Sequence, residues 1–181
     1  MADQTSAAKL PVMSLPQGEL LTLNVNDIPV IKDSLGPGIH YQPLFLDPEV
    51  GVWVVLAHFA PGAELPIHLH TGAVHAYTLK GSWAYREYPD QPQTEGSYLY
   101  EPGASVHKLY ASEENTEDTV VLYVVYGANI NFTDDGQFHS VLDAVTIQGL
   151  TRQLSAAQGL DVNYLTGGAA RYAADKGDKK E

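Results

Sequence analysis

Two histidines one residue apart, His68 and His70, sit in a stretch that reads as a β-strand, and a third, His107, follows behind a Gly/Pro-rich turn. Side chains alternate along a strand, so residues i and i+2 point to one face. A third histidine from a separate strand can then meet the first two. That is how a small β-barrel builds a metal site in its mouth. One imidazole inside a barrel is ordinarily a hydrogen-bonded core residue. Three that converge are costly to leave without a partner, and a divalent metal is the commonest one.

The chain around these histidines is punctuated into short strands. Residues 50–59 are rich in β-branched and aromatic side chains and predict a buried strand that Pro61-Gly62 ends. Residues 75–80 and 82–88 predict a hairpin turning at Lys80-Gly81. Residues 20–25, 97–101, 119–126 and 130–132 predict further strands, with Pro102-Gly103 and Asp134-Asp135-Gly136 as turns. Many short strands at even spacing argue for one all-β sandwich closed into a barrel. Asp143 is placed to cap a helix reaching about Gln158, with Val145, Leu150 and Leu154 apolar and Gly159 as its stop. The expected division is an N-terminal arm at 1–18, a barrel at 19–140, a helical extension at 141–166 and a disordered tail at 167–181.

Composition narrows the function. A chain of 181 residues is long enough for one core. A net charge of −12 argues against nucleic acid, whose phosphates demand basic patches, and gives no reason to expect a membrane partner. No apolar run is long enough to span a bilayer, and the N-terminus lacks the basic and apolar regions of a signal peptide. With no cysteine there is neither a disulfide frame nor a thiolate site, and the cytoplasm is the expected location. Neither a phosphate-binding glycine loop nor a nucleophile elbow is present.

Around the three histidines several residues compete for roles. Glu87 falls on one face of its strand with Trp83 and Tyr85. With a three-residue turn it would lie opposite His75 and could serve as a fourth ligand, but one step of register would turn it outward. The competing reading is a solvated hairpin glutamate. His75 reads as a group supporting the ligands by hydrogen bonds, with ligand or general base as alternatives. Glu95 and Glu101 read as rim charges, His58 as a packed histidine, and His40 and His139 lie near turn-like sequence without signal. Tyr77, Trp83, Tyr85, Tyr98, Tyr100 and Trp53 fall on barrel strands, and those facing the mouth could clamp a flat substrate.

The spacing Gly62-x5-His68-x-His70 resembles the first half of the cupin motif, and Gly96-x5-Pro102 followed by His107 resembles its second half. Two departures accompany the resemblance. The usual glutamate after the second histidine is replaced in the region of Val74 and His75. Gly103 directly follows the proline, and Ala111 stands where an asparagine is usual. The phrases around His75–Trp83 and Gly96–Gly103 resemble the cupin subgroup containing 2,4′-dihydroxyacetophenone dioxygenase, and also the cupin domains of zinc-binding anti-sigma factors. The resemblance implies a metal held by His68, His70 and His107, with Fe(II) favoured and Zn, Ni or Mn as alternatives. It implies a dioxygenase that uses O2 to cleave an aryl hydroxymethyl ketone into two carboxylic acids. A zinc-binding sensory module or another cupin enzyme, such as a β-diketone dioxygenase, is the alternative. Its partners would be a small aromatic ketone and other copies of the chain, as a dimer or tetramer.

Overall fold

The structure, a computed structural model, describes residues 21–168. Among these residues the strands are β1 (Ile39–Asp47), β2 (Val52–Phe59), β3 (Ile67–His70), β4 (Val74–Lys80), β5 (Ser82–Tyr85), β6 (Gln93–Thr94), β7 (Tyr98–Glu101), β8 (Val106–His107), β9 (Leu109–Ala111), β10 (Thr119–Tyr126), β11 (Asn129–Phe132), β12 (Phe138–Leu142) and β13 (Leu165–Thr166). One α-helix, α1 (Ala144–Gln158), lies between β12 and β13.

A six-stranded sheet in the order β13-β1-β2-β10-β4-β7 forms one wall. A four-stranded sheet, β12-β11-β3-β8, and a three-stranded sheet, β6-β5-β9, form the other. The long strands are β-branched and aromatic, and their alternate residues enter the core. Trp53, Val55, Ala57 and Phe59 of β2 are buried, as are Val121 and Val125 of β10. Near one end of the sandwich these residues pack against Trp83, Tyr85 and Leu109; near the other they pack against Leu142 and Ile147. Enclosing a side chain such as Phe59 stabilises the fold by about 2–3 kcal/mol. The architecture is thus the all-β sandwich expected from strand spacing, with a C-terminal helix.

Helix α1 begins and ends where its residues dictate. The Asp143 side chain accepts from Thr146 N at 2.7 Å while Thr146 Oγ1 receives the Asp143 N–H at 2.7 Å, a reciprocal cap. Gly159 adopts φ 65° and closes the C-terminus. Tyr41 Oη meets Thr151 Oγ1 at 2.8 Å and ties the helix to the six-stranded sheet.

Several expectations are corrected. The 75–80 and 82–88 segments do not form a hairpin: β4 lies between β10 and β7, whereas β5 joins β6 and β9 in another sheet. At Gly81 the chain crosses from one wall to the other, so close to Thr119 that a Cβ would come within 2.8 Å of its Cα. In place of a strand over 20–25, residues 21–24 are irregular and Val25–Asp27 form a 3₁₀ turn; Leu20 lies outside the described residues. Gln42 Nε2 takes up the carbonyls of Val25 and Ile28, which a ladder partner would otherwise use. His40 and His139, near turn-like sequence, stand at the starts of β1 and β12. The 140/141 boundary falls inside β12. The arm at 1–18 and the tail from 169 lie outside the described residues; Gly167 N donates to Leu46 O at 2.9 Å.

Candidate metal centre

Strand β3 alternates so that His68 and His70 face inward, 4% and 3% exposed. Strand β8 lies antiparallel beside it, with His107 directly opposite His68. The loop joining β7 to β8 fixes this approach: His70 N donates to Ser105 O at 3.1 Å, and Ala104 N to His70 O at 2.7 Å. The three imidazoles converge, with one ligand-capable atom from each lying within 4.8 Å of the others. The spacing of the histidines thus brings them together as the sequence predicts.

The fourth member of the cluster is Glu101, the last residue of β7. It is 4% exposed, with Oε2 at 2.7 Å from His70 Nε2 and 3.2 Å from His107 Nε2. The sequence reading placed it on the rim. Its partner Leu99 shares the inward row of β7, and that alternation was the available signal. The adjacent Tyr98 and Tyr100 obscured it, because a row of aromatic residues reads as the core row. Tyr85 Oη donates to Glu101 Oε1 and its ring stacks on His107 at 3.9 Å. Burial alone would raise the Glu101 pKa, but hydrogen bonds from His107 and His70 overcome it and hold the carboxyl well below the usual range. Burial pushes the Tyr85 hydroxyl up, and the Glu101 charge adds to this, so Tyr85 remains a donor.

The donor set fits a divalent metal. His68 Nδ1 lies 2.8 Å from Pro66 O, which fixes its hydrogen on that nitrogen and leaves a lone pair on Nε2. Burial lowers the His68 pKa to about 4, and the carbonyl only partly opposes this, so the ring is neutral. His70 Nε2 and His107 Nε2 stand 3.1 Å apart. Buried imidazoles beside one carboxylate suit iron, zinc, nickel or manganese.

Other expected site residues lie elsewhere. Strand β5 ends at Tyr85 and the chain turns, so Glu87 leaves the alternation and is exposed, accepting from Lys108 N at 3.0 Å. His75 points to the outer face of the six-stranded sheet, where its Nδ1 meets Tyr98 Oη at 2.6 Å. It pairs with Tyr100 and Val124, not Glu87. Tyr77, Tyr98 and Tyr100 are exposed on this outer face. Trp83 is buried in the core, its Nε1 donating to Thr78 Oγ1 at 2.9 Å. Neither Glu87 nor His75 reaches the imidazole cluster. Of the aromatic residues expected at the mouth, Tyr85 and Trp53 line the interior.

A cavity opens from His68, His70 and Glu101 into the sandwich. Its walls are largely apolar, with Trp53, Phe59, Leu109, Val125, Ile147 and Leu150 among them, and no lysine or arginine lines it. No described helix is long and apolar enough to cross a membrane.

A family model described as the ChrR cupin-like domain matches residues 21–129. No curated protein matches the sequence. Among solved structures, the chain is similar to a cupin-like-fold protein from Ralstonia eutropha, with 40% identity, 88% of this chain and 99% of that chain covered, and a TM-score of 0.81. An RmlC-like cupin from the same organism is 25% identical, over 82% and 95% of the two chains, with a TM-score of 0.74. An acetylacetone dioxygenase from Acinetobacter johnsonii shares the fold at 18% identity, over 79% and 97%, with a TM-score of 0.64.

Proposed function

We propose that this chain, which belongs to the ChrR cupin-like domain family, is a non-haem Fe(II) dioxygenase that cleaves an aryl hydroxymethyl ketone. The observation that carries the reading is the buried His68, His70 and His107 cluster at the end of an apolar cavity without cationic side chains. Such walls suit a neutral ketone and disfavour carboxylates, phosphates and sugars. The shared fold of the Acinetobacter johnsonii acetylacetone dioxygenase also supports oxygen chemistry on a small ketone.

In this reading His68, His70 and His107 would hold the metal. Bound Fe(II) would supply activation of dioxygen and chelation of the adjacent ketone and hydroxyl oxygens. Glu101, with Oε2 at 2.7 Å from His70 Nε2 and 3.2 Å from His107 Nε2, would orient these two imidazoles for the metal. Tyr85 holds Glu101 through Oε1 and keeps Oε2 turned to the imidazoles. The apolar walls exclude water from the cavity and orient the ring.

A second reading, a zinc-binding sensory module, rests on the resemblance of the His75–Trp83 and Gly96–Gly103 phrases to the cupin domains of zinc-binding anti-sigma factors. Self-association belongs to the first reading. His75, Tyr77, Tyr98, Tyr100, Val124 and Tyr126 form an outer face without charge on a chain of net charge −12, and four of its tyrosines are exposed. Another copy of the same acidic chain can meet it there with least repulsion.

The test is oxygen uptake by metal-free protein loaded anaerobically with Fe(II) and mixed with 2-hydroxy-1-phenylethanone. We expect one O2 consumed per ketone, with benzoate and formate released, and neither metal retention nor uptake in His107→Ala. No uptake, together with tight binding of one equivalent of zinc, would move the assignment to the sensory module.

A further inference from the structure

Tyr123 is the one cavity-lining tyrosine left without a partner. Tyr41 is bonded to Thr151 and Tyr85 to Glu101, but the Tyr123 hydroxyl is enclosed and meets no acceptor among the described residues. It stands on β10 between Val121 and Val125, in the row that faces the interior, with its ring 6.1 Å from that of Trp83. A buried hydroxyl without a partner is costly, and native folds rarely keep one without reason. Burial pushes its pKa well above the ordinary phenol range, and the Glu101 charge adds to this, so the group is a permanent donor. Tyr123 lines the same cavity as His68, His70 and Glu101.

We propose that Tyr123 is a specificity-determining residue whose hydroxyl donates to a carbonyl oxygen of an uncharged, largely apolar ligand held inside the barrel. The proposal rests on the reading of this cavity as the substrate site, but not on the reaction performed there. It explains why a largely apolar wall carries an enclosed hydroxyl without a partner among the described residues. It selects a carbonyl-bearing ligand over a hydrocarbon of the same shape, because only the carbonyl satisfies the hydroxyl.

The experiment is binding, read by quenching of tryptophan fluorescence, of acetophenone and of ethylbenzene. It uses metal-free protein and protein loaded with redox-inert zinc. The native chain should bind acetophenone more tightly. Tyr123→Phe should weaken acetophenone about tenfold and leave ethylbenzene unchanged. The thermal midpoint without ligand should stay level or rise, because the substitution removes an unpaired polar group, and zinc stoichiometry should be unaltered. The proposal is overturned if acetophenone binds both proteins equally, if the two probes weaken together, or if neither binds. Failure of the dioxygenase reading is distinguishable: the iron-loaded protein would consume no oxygen while the Tyr123-dependent preference for acetophenone persisted.

Discussion

His68 is neutral in the fold because burial lowers its pKa from 6.5 to about 4. The unfolded chain takes up that proton first as pH falls. Stability is therefore undiminished above 6.5 and declines as pH falls from 6.5 to about 4, by up to about 3 kcal/mol. Glu101, whose carboxyl is depressed, adds a loss that sets in only below its ordinary value of 4.5. Urea midpoints of chelator-treated protein between pH 7.5 and 4.5 should fall with acid, and His68→Gln should flatten that slope. An unchanged slope in the variant would mean that other groups carry the acid response. At this scale the three histidines were legible because strand alternation and spacing are properties of the chain itself. Glu101 was not, since a carboxylate before a turn is ordinarily solvated; only the imidazoles brought from β3 and β8 make its burial tolerable.

Among the elements, α1 was the most legible. Asp143, Thr146 and Gly159 act through their own backbone neighbours, so the cap and stop are local chemistry. Asp143→Ala should cost about 1 kcal/mol, measured as a shift of the urea midpoint. Metal stoichiometry should be unchanged, because the imidazoles stand on β3 and β8. A loss of metal in that variant would mean that α1 positions the site as well as closing the cavity with Ile147 and Leu150. The strands were less legible than the helix. Lys80-Gly81 carries a hairpin signal, but the chain there crosses between walls because Thr119 packs against the glycine. Strand β1, with Pro43 in its middle, gave no strand signal; a bulge between Pro43 and Phe45 accommodates the proline.

On the scale of the molecule, the outer face of β4, β7 and β10 exposes Tyr77, Tyr98, Tyr100 and Tyr126 on a chain of net charge −12. Tyr77, Tyr98 and Tyr100 read as candidate substrate clamps in the sequence and stand outside instead, because Val74, Ala76 and Thr78 take the inward positions of β4, and Leu99 and Glu101 those of β7. Light scattering during size-exclusion chromatography should report a mass above that of one 19.6 kDa chain. Tyr100→Glu should return it to the monomer by adding charge to both copies. An assembly that survives this substitution would place the interface elsewhere.

The sequence by itself determined the strand-rich class, the capped helix, and the placing of three imidazoles on two strands, because each depends on alternation, spacing or neighbouring backbone groups. Only the tertiary structure decided which wall each strand joins, that Glu101 rather than Glu87 stands with the imidazoles, and that Tyr123 is left unpaired in the cavity wall. Those outcomes depend on register between segments far apart in the chain. A shift of one residue reverses every side chain of a strand, and no local preference fixes that choice.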